Sequence, residues 1–249
     1  MLLQVAPVAN LKSLSGHWLG HDVYFSRGND GTWYGLAGIS LETTPGRYSL
    51  TLEGNDDTGR KLTMERTIIV GKARYPSIAV KVARKFTEPD PEQLKQIAAD
   101  KTIKEETFKR FDPERLWTGD FEPPVKAPIS DLFGTGRTFN GKVQSRHQGL
   151  DYAVPAGTRV EAVNRGTVLL ARPLYFEGNC VVLDHGQGLL SLYMHLSEIK
   201  VKEGETVSRG QELGLSGGTG RATGPHLHIA MRWEGIYLDP GTLMKLRLP

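Results

Sequence analysis

The stretch TGPHLHIAM, residues 223–231, places two of the chain's seven histidines one residue apart behind a Gly-Pro turn. Successive side chains of a β-strand point to opposite faces, so His226 and His228 would face the same side of a strand. Two imidazoles on one face beside a glycine-rich turn indicate a metal site or a proton-transfer site. An ordinary strand that holds two histidines would show the same pattern, so the pair alone does not decide between these interpretations.

A second pair of potential ligands lies upstream, in RHQGLDY, residues 146–152. His147 and Asp151 are four residues apart, a separation that returns both side chains to one side of a helical turn or of an extended segment. An imidazole and a carboxylate so placed, joined by a third ligand from elsewhere, would form the open three-ligand zinc site of a hydrolase. Such a site lowers the pKa of bound water toward ~7. It also needs a group that moves protons, which the remaining histidines would supply.

Taken in order, HQGLD (147–151), YMHL (193–196) and GPHLH (224–228) resemble the signature of the lysostaphin/LytM-type zinc metallopeptidases of the M23 family. Residues from about 130 to 240 run like that family's domain. The resemblance implies that His147, Asp151 and His228 bind one zinc ion per chain and that His195 and His226 form the catalytic pair. One histidine of the HLH stretch would then hold the metal while the other acts on the substrate.

The activity that the resemblance implies is hydrolysis of a peptide bond in the stem or cross-bridge of bacterial peptidoglycan. D-Ala–diaminopimelate cross-links are the expected target, and attack by zinc-bound water is the expected mechanism. The substrate would lie in the periplasm or elsewhere in the cell envelope. Residues 1–16 lack the pattern of a secretory signal, so we expect a signal peptide to have been removed.

Residues 17–85 are predicted to form short strands separated by turns. HDVYFSRGNDGTWYGL (21–36) and TTPGRYSLTLEGNDDTGRKLTMERTIIV (43–70) each have the pattern of a β-hairpin. Alternation in the second stretch places Tyr48, Leu50 and Leu52 on one face. We therefore predict an immunoglobulin-like β-sandwich over residues 1–88. This region also resembles the sandwich that precedes the M23 domain in some bacterial members. His17 and His21 are expected to be surface or structural residues.

The composition changes at residues 89–128, for which we predict a helical and proline-rich linker. Pro91 behind Asp90, followed by apolar residues at helical spacing, indicates a helix that packs on a domain. FEPPVKAP (121–128) is typical of a stiff connector and marks the predicted boundary. Residues 129–249 are predicted to form an antiparallel β domain of the LytM type. The whole chain should thus be mainly β.

Composition limits the other possibilities. A net charge of +3 over 249 residues is too small for a nucleic-acid footprint, so no nucleic-acid partner is expected. The chain has no apolar run near the ~20 residues that span a bilayer. Cys180 is the one cysteine, which excludes an internal disulfide and a cysteine-rich zinc site, and we expect it to be buried in a strand. Composition leaves the oligomeric state open.

Two alternative functions remain open on the sequence. The first is a non-catalytic wall-binding protein or amidase activator on the same fold, but such members typically lack some of the metal ligands, and all five site residues are present here. The second is a latent enzyme in which Asn140, or an acidic residue among 86–120, supplies a fourth ligand. A third possibility is that the β-sandwich binds a partner protein or wall glycan.

Several neighbouring residues have less definite predictions. Asp184 and His185, in LDHG, match no ligand position and are expected to be structural. The run GLSGGTGRATGP (214–225) is interpreted as a flexible rim that brings the backbone close to a substrate. Tyr193, Arg221 and Thr223 either line the groove or have a packing or surface role.

Overall fold

The structure, a computed structural model, describes the backbone of residues 1–249 and every side chain except that of Val143. The chain is mainly β, as predicted, and divides into two compact units, Met1–Arg74 and Tyr75–Leu248. None of the helices it describes is long and apolar enough to cross a membrane.

The first unit contains six antiparallel strands, and each strand pairs with its neighbours in the order β1-β4-β3-β2-β5-β6. The strands are β1 (Leu2–Val5), β2 (Leu11–Trp18), β3 (His21–Arg27), β4 (Trp33–Leu36), β5 (Gly46–Asp56) and β6 (Lys61–Val70). Both predicted hairpins are confirmed, as β3–β4 and β5–β6. Strand β3 pairs with β2 through residues 21–24 and with β4 through residues 25–27. The immunoglobulin-like sandwich stays a prediction.

The core of the first unit follows from alternation along these strands. Leu50 and Leu52 are buried and Tyr48 is half-buried on one face of β5, as predicted. Trp18 is fully buried, and its indole Nε1–H donates to the Gly38 carbonyl at 2.7 Å. A buried tryptophan needs such an acceptor because its N–H cannot reach water.

The second unit is built from fourteen strands and three short or medium helices. Its strands are β7 (Ser77–Val80), β8 (Ile129–Asp131), β9 (Gly136–Phe139), β10 (Val143–Arg146), β11 (Leu150–Tyr152), β12 (Arg159–Glu161), β13 (Gly166–Leu174), β14 (Gly178–Asp184), β15 (Leu189–Leu196), β16 (Glu198–Ile199), β17 (Thr206–Val207), β18 (Glu212–Leu215), β19 (Leu227–Trp233) and β20 (Ile236–Leu238). Its helices are a 3-10 turn (Arg84–Phe86), α1 (Pro91–Phe108) and α2 (Pro240–Leu243).

The largest sheet of this unit has the strand order β17-β13-β14-β15-β19-β11-β8, and β20 pairs with β19. Its central strands are buried on both faces, which explains why VVL and LLSLY read as continuous apolar runs. Cys180 is buried in β14, as predicted. Two three-stranded sheets, β10-β9-β7 and β12-β18-β16, complete the unit.

The compact units divide at a different residue from the predicted boundary at 88. Strand β7 pairs in parallel with β9, and the Gly136 N–H donates to the Pro76 carbonyl, so the segment from Tyr75 onward belongs to the second unit. These pairings join residues about sixty positions apart in the chain, and no local pattern in the sequence reports them.

The predicted helix is confirmed as α1 and starts where Asp90 and Pro91 indicated. Asp90 accepts from the backbone N–H of Gln93, and the Gln93 side chain accepts from the backbone N–H of Asp90, which is a capping box. The helix is fixed to the turn between β13 and β14. Asp100 accepts the Tyr175 N–H at 2.6 Å, and Lys104 pairs with Glu177 at 2.5 Å.

The proline-rich stretch 121–128 is packed into the second unit instead of forming a free connector. Phe121 and Val125 are buried, and the Phe121 ring meets the ring of His185 edge-on at 5.2 Å. Just upstream, the Leu116 N–H donates to the His185 carbonyl at 2.9 Å. Apolar side chains spaced between prolines can still fill a core, which composition alone does not reveal.

Gly186 should tolerate no side chain, because residues 114–116 lie directly against it. Its φ is +83°, and a Cβ there would lie 1.8 Å from the Glu114 carbonyl oxygen. We expect Gly186→Ala to lower the free energy of unfolding by about 2–4 kcal/mol, which combines backbone strain with overpacking. Gly157→Ala is the matched control, since Gly157 has a φ of +85° and no heavy atom within 4 Å of a Cβ. If urea unfolding gives the same decrease in unfolding free energy for both variants, the contact of residues 114–116 with Gly186 contributes nothing to the effect.

Candidate metal centre

Three predicted ligands come together because two strands pair in one register. Asp151 on β11 lies directly opposite His228 on β19, so their side chains share a face of the sheet. His147 precedes β11, and its backbone N–H donates to the Thr135 carbonyl, which fixes the ring above the same face. All three residues are buried.

The ligand atoms of these residues form a compact triangle. His147 Nε2 lies 3.0 Å from His228 Nδ1 and 3.1 Å from Asp151 Oδ1, and His228 Nδ1 lies 2.7 Å from Asp151 Oδ1. Tetrahedral zinc with bonds of 2.0–2.1 Å separates its ligands by about 3.3 Å. Two imidazole nitrogens and one carboxylate oxygen at nearly that separation fit a zinc ion and leave a fourth position open.

The protonation states of the cluster also suit a cation. His147 Nδ1–H donates to the Leu132 carbonyl at 2.9 Å, which leaves the Nε2 lone pair facing the other two ligands. Burial acts to raise the pKa of Asp151, but its hydrogen bonds to His147 and His228 and the charges of both rings outweigh burial and hold the pKa well below its usual range. Burial lowers the pKa of His228. Asp151 therefore offers a carboxylate oxygen, and burial favours the uncharged form of the His228 ring.

An arginine and a second aspartate hold the carboxylate of Asp151, and the sequence analysis missed both. Arg137 on β9 binds the Asp151 Oδ2 atom through Nη2 and also contacts Asp131 Oδ2, at 2.5 Å from Nη2 and 2.8 Å from Nε. Because Oδ2 is occupied, Oδ1 is the oxygen that faces the histidines. The two residues lie in DLFGTGR, upstream of the histidine motif, and no fixed spacing to His147 signals their role.

Loss of Arg137 should weaken metal binding without removing a ligand. We expect Arg137→Gln to raise the zinc dissociation constant about 10- to 100-fold, since the Asp151 carboxylate would be free to rotate away from the metal. A competition titration with a chromophoric chelator measures this change. Arg146→Gln is the matched control, because Arg146 donates to the Gly134 carbonyl and has no contact with Asp151 among the described residues. An unchanged dissociation constant in Arg137→Gln would contradict the positioning role.

The two remaining predicted residues, His195 and His226, lie beside the triangle. Their ring centroids are 4.8 Å apart, and the His195 ring is 6.0 Å from that of His228. His195 Nδ1–H donates to the Thr219 carbonyl and His226 Nδ1–H donates to the Gly224 carbonyl, each at 2.8 Å. Each ring therefore keeps Nε2 available as a proton acceptor.

His195 has a strained backbone and an environment that keeps it neutral. It lies where the register between β14 and β15 shifts, and its φ is +63°, a conformation that is uncommon for a non-glycine residue. Burial, with smaller contributions from the nearby His228 and His226 rings, lowers the pKa of His195 to about 3. The imidazole is thus an uncharged base near pH 7.

The glycine-rich run is docked closely against the turn that precedes β14. A Cβ on Gly220 would lie 2.3 Å from the Gly178 nitrogen, and Thr219 Oγ1 accepts the Asn179 N–H. The run therefore holds Thr219, the acceptor for His195, in a fixed place. Its glycines are needed because the backbone of the run packs directly against another turn. The prediction of a flexible rim did not anticipate this packing.

Two cavities open on the cluster, with volumes of about 260 and 310 Å³. The first is lined by His147 and His228 and the second by Asp151 and His226, while His195 borders both. The two cavities also share Arg137, Phe139 and Arg221, so they adjoin each other, and together they are called the groove. A peptide in an extended conformation is the kind of molecule that such a groove admits.

Asn140, the predicted candidate for a fourth ligand, is occupied elsewhere. Its Oδ1 accepts the Val82 N–H, and its Nδ2 donates to the Val82 carbonyl and to Thr87 Oγ1. Among the described side chains, no acidic residue of 86–120 belongs to the metal-binding cluster. The Asn140 amide holds the segment after β7 and lies outside the ligand cluster, while the latent-enzyme hypothesis as a whole stays a prediction.

The structure also shows the surroundings of the residues whose predicted roles were less definite. His185 is fully buried, donates to the Arg165 carbonyl and lies 2.7 Å from Ser191 Oγ, so it is structural, as predicted. The Tyr193 hydroxyl accepts the Val163 N–H in the interior, which is a packing role. Arg221 lines both cavities, and Thr223 lines the second.

Comparison with known proteins agrees with this geometry. The profile of peptidase family M23 matches residues 145–240. Peptidoglycan DD-endopeptidase ShyA of Vibrio cholerae is 38% identical over 144 residues, which are 57% of this chain and 30% of that protein. DD-carboxypeptidase/endopeptidase Mpg of Neisseria meningitidis is 38% identical over 121 residues, which are 49% of this chain and 28% of that protein. The chain thus spans about a third of the length of these curated relatives.

A solved structure extends the likeness to both units. The crystal structure of a Pseudomonas aeruginosa protein described as a peptidase M23 is 32% identical, with a TM-score of 0.73 over 98% of this chain and 92% of that one. The likeness therefore includes the six-stranded first unit as well as the region that holds the histidines. The chain belongs to peptidase family M23.

Proposed function

We propose that this protein is a zinc-dependent endopeptidase that hydrolyses peptide bonds in bacterial peptidoglycan. The observation that carries the proposal is the buried triangle of His147, Asp151 and His228, which adjoins a second histidine pair in an open groove. The names of the relatives support the choice of substrate, since ShyA and Mpg are described as endopeptidases and ShyA as acting on peptidoglycan. A cell-envelope location follows from that substrate, and we propose the periplasm.

His147, Asp151 and His228 would hold the zinc ion, and Arg137 would keep the carboxylate in place. Zinc at this position supplies a Lewis acid, which lowers the pKa of water and polarises a peptide carbonyl. Nε2 of His195 or His226 takes the proton that the attacking water loses. The Nε2–H of the protonated ring first donates a hydrogen bond to the oxyanion, and its one proton then passes to the amine nitrogen as the C–N bond breaks.

The target bond is proposed to be the D-Ala–diaminopimelate cross-link, in keeping with the DD-endopeptidase names of the relatives. A non-catalytic role as a wall-binding regulator is the rival function. The site argues against it, because all five residues are present and the two histidine rings keep Nε2 facing the groove. A protein that only binds the wall has no need of a neutral base such as His195 beside a metal site.

The test is digestion of purified cross-linked peptidoglycan with and without a zinc chelator, followed by mass identification of the released peptides. We expect chelator-sensitive release of fragments with new peptide ends, and recovery when zinc is returned. Asp151→Asn should release nothing, whereas His17→Gln, at an exposed histidine of the first unit, should act like the unchanged protein. Release that persists in chelator, or in Asp151→Asn, would refute the metal-dependent mechanism.

A further inference from the structure

Arg221 presents an uncommitted guanidinium to the groove. Its Cζ lies 4.4 Å from the ring centre of Phe139 and 4.8 Å from that of Phe176, so the guanidinium contacts two aromatic rings. The side chain is half-buried and lines both cavities beside His195. Within the described part of the chain, its guanidinium has neither a hydrogen bond nor an ion pair, although the group carries five N–H donors.

The position of Arg221 is fixed before any ligand arrives. Its backbone N–H donates to the Phe176 carbonyl at 2.8 Å, and the preceding Gly220 packs against Gly178. The two rings restrict the rotation of the guanidinium plane. Since little conformational freedom remains to be lost, binding through this group costs less entropy than binding through an exposed arginine.

The charges around the groove leave that of Arg221 without a counter-ion. Arg137 is neutralised by Asp131 and Asp151. Glu177, the acidic residue that lines the first cavity with Arg221, forms its ion pair with Lys104 at 2.5 Å. Arg146, which lines the first cavity too, also has no acidic partner among the described residues, but its guanidinium donates to the Gly134 carbonyl. Arg221 therefore offers a ligand a positive charge with free N–H donors, in a partly desolvated place where an anionic partner is strongly favoured.

We propose that Arg221 is a substrate-binding residue that recognises a carboxylate of the peptide next to the scissile bond. The inference rests on the proposed function and names the feature of the substrate that this site selects. The two rings contact the guanidinium without accepting its N–H groups in conventional hydrogen bonds, so these donors stay available to a ligand. A planar fork of donors matches a planar carboxylate through two parallel hydrogen bonds.

The chemistry of a D-Ala–diaminopimelate cross-link fits this requirement. The carbon that bears the scissile nitrogen also bears a free carboxylate, so the anion lies within a few bonds of the reacting carbonyl. A bond between glycines inside a bridge has no carboxylate at that position. Recognition by Arg221 would thus favour the cross-link that carries the carboxylate over the glycine bridge.

The experiment uses the full chain loaded with zinc and two synthetic cross-linked muropeptides. They differ at one group, which is a free carboxylate beside the scissile amide in one and a carboxamide in the other. Binding is measured by calorimetry in the His195→Ala background, which slows turnover and keeps all three ligands and the Arg137–Asp151 ion pair, and kcat/KM is measured in the otherwise unchanged protein. Arg221→Gln and Arg221→Lys are compared with Arg146→Gln, which alters an arginine of the same cavity whose guanidinium is bonded to the Gly134 carbonyl.

We expect the carboxylate peptide to bind and react about 10- to 100-fold better than the carboxamide. Arg221→Gln should abolish that ratio, Arg221→Lys should retain part of it, and Arg146→Gln should leave it intact. Equal binding of the two peptides, no measurable binding of either, or a ratio that survives in Arg221→Gln would overturn the inference. Cleavage of both peptides at one rate would leave the proposed function standing, whereas carboxylate-selective binding without any cleavage would refute the proposed function alone.

Discussion

His228→Ala should lose both zinc and peptide-bond hydrolysis. The imidazole lies 2.7 Å from the Asp151 carboxylate and 3.0 Å from the His147 ring, so it supplies one corner of the ligand triangle. Its removal leaves two ligands, and zinc affinity should fall by more than the ~100-fold that loss of a supporting residue causes. Zinc content after dialysis and the rate of peptidoglycan digestion measure the two effects on one sample.

His185→Asn is the matched control, because His185 is also a buried histidine of the second unit but lies away from the ligand cluster. The His185→Asn substitution should lower the free energy of unfolding, but the variant should retain zinc at temperatures where it stays folded. Circular dichroism establishes folding for both variants. Full zinc content in folded His228→Ala would show that the ligand set has been assigned to the wrong residue.

His195→Ala should lower kcat by about 10²- to 10⁴-fold while zinc stays bound. The ring is a neutral base beside the ligand triangle, and general acid–base catalysis contributes an acceleration of that order. The Ala substitution also removes the side chain from a residue with a φ of +63°, so thermal unfolding should be followed in parallel. Steady-state kinetics on a cross-linked peptide and metal analysis are the measurements.

Two outcomes distinguish the role of His195 from that of a ligand. If zinc content falls together with kcat, His195 holds the metal and the assignment of three ligands has to change. If zinc and kcat both stay at the level of the unchanged protein, His226 alone moves the proton. His226→Ala is the companion variant. The loss of kcat in the double variant should be little greater than that in the more impaired single variant, since the two rings act in one step.

The local sequence determined much of this protein. Alternation at Tyr48, Leu50 and Leu52 predicted a strand and its buried face, and Asp90 with Pro91 predicted the start of α1, because the period of side chains and the cap of a helix depend on adjacent residues. The motifs also predicted which five residues gather at the centre. Their spacing matches strands whose side-chain directions are set by the backbone.

Only the tertiary structure decided how those residues are supported and what surrounds them. Arg137 of one sheet reaches Asp151 of another, and β7 joins β9 from about sixty residues away. Arg221 lines the groove in contact with the rings of Phe139 and Phe176. Each contact joins elements that are distant in sequence, and its energy depends on a geometry that exists only after the sheets have formed. A pattern within one segment cannot report such a contact. The sequence therefore predicted the five residues of the metal centre, and only the fold showed which residues surround and support them.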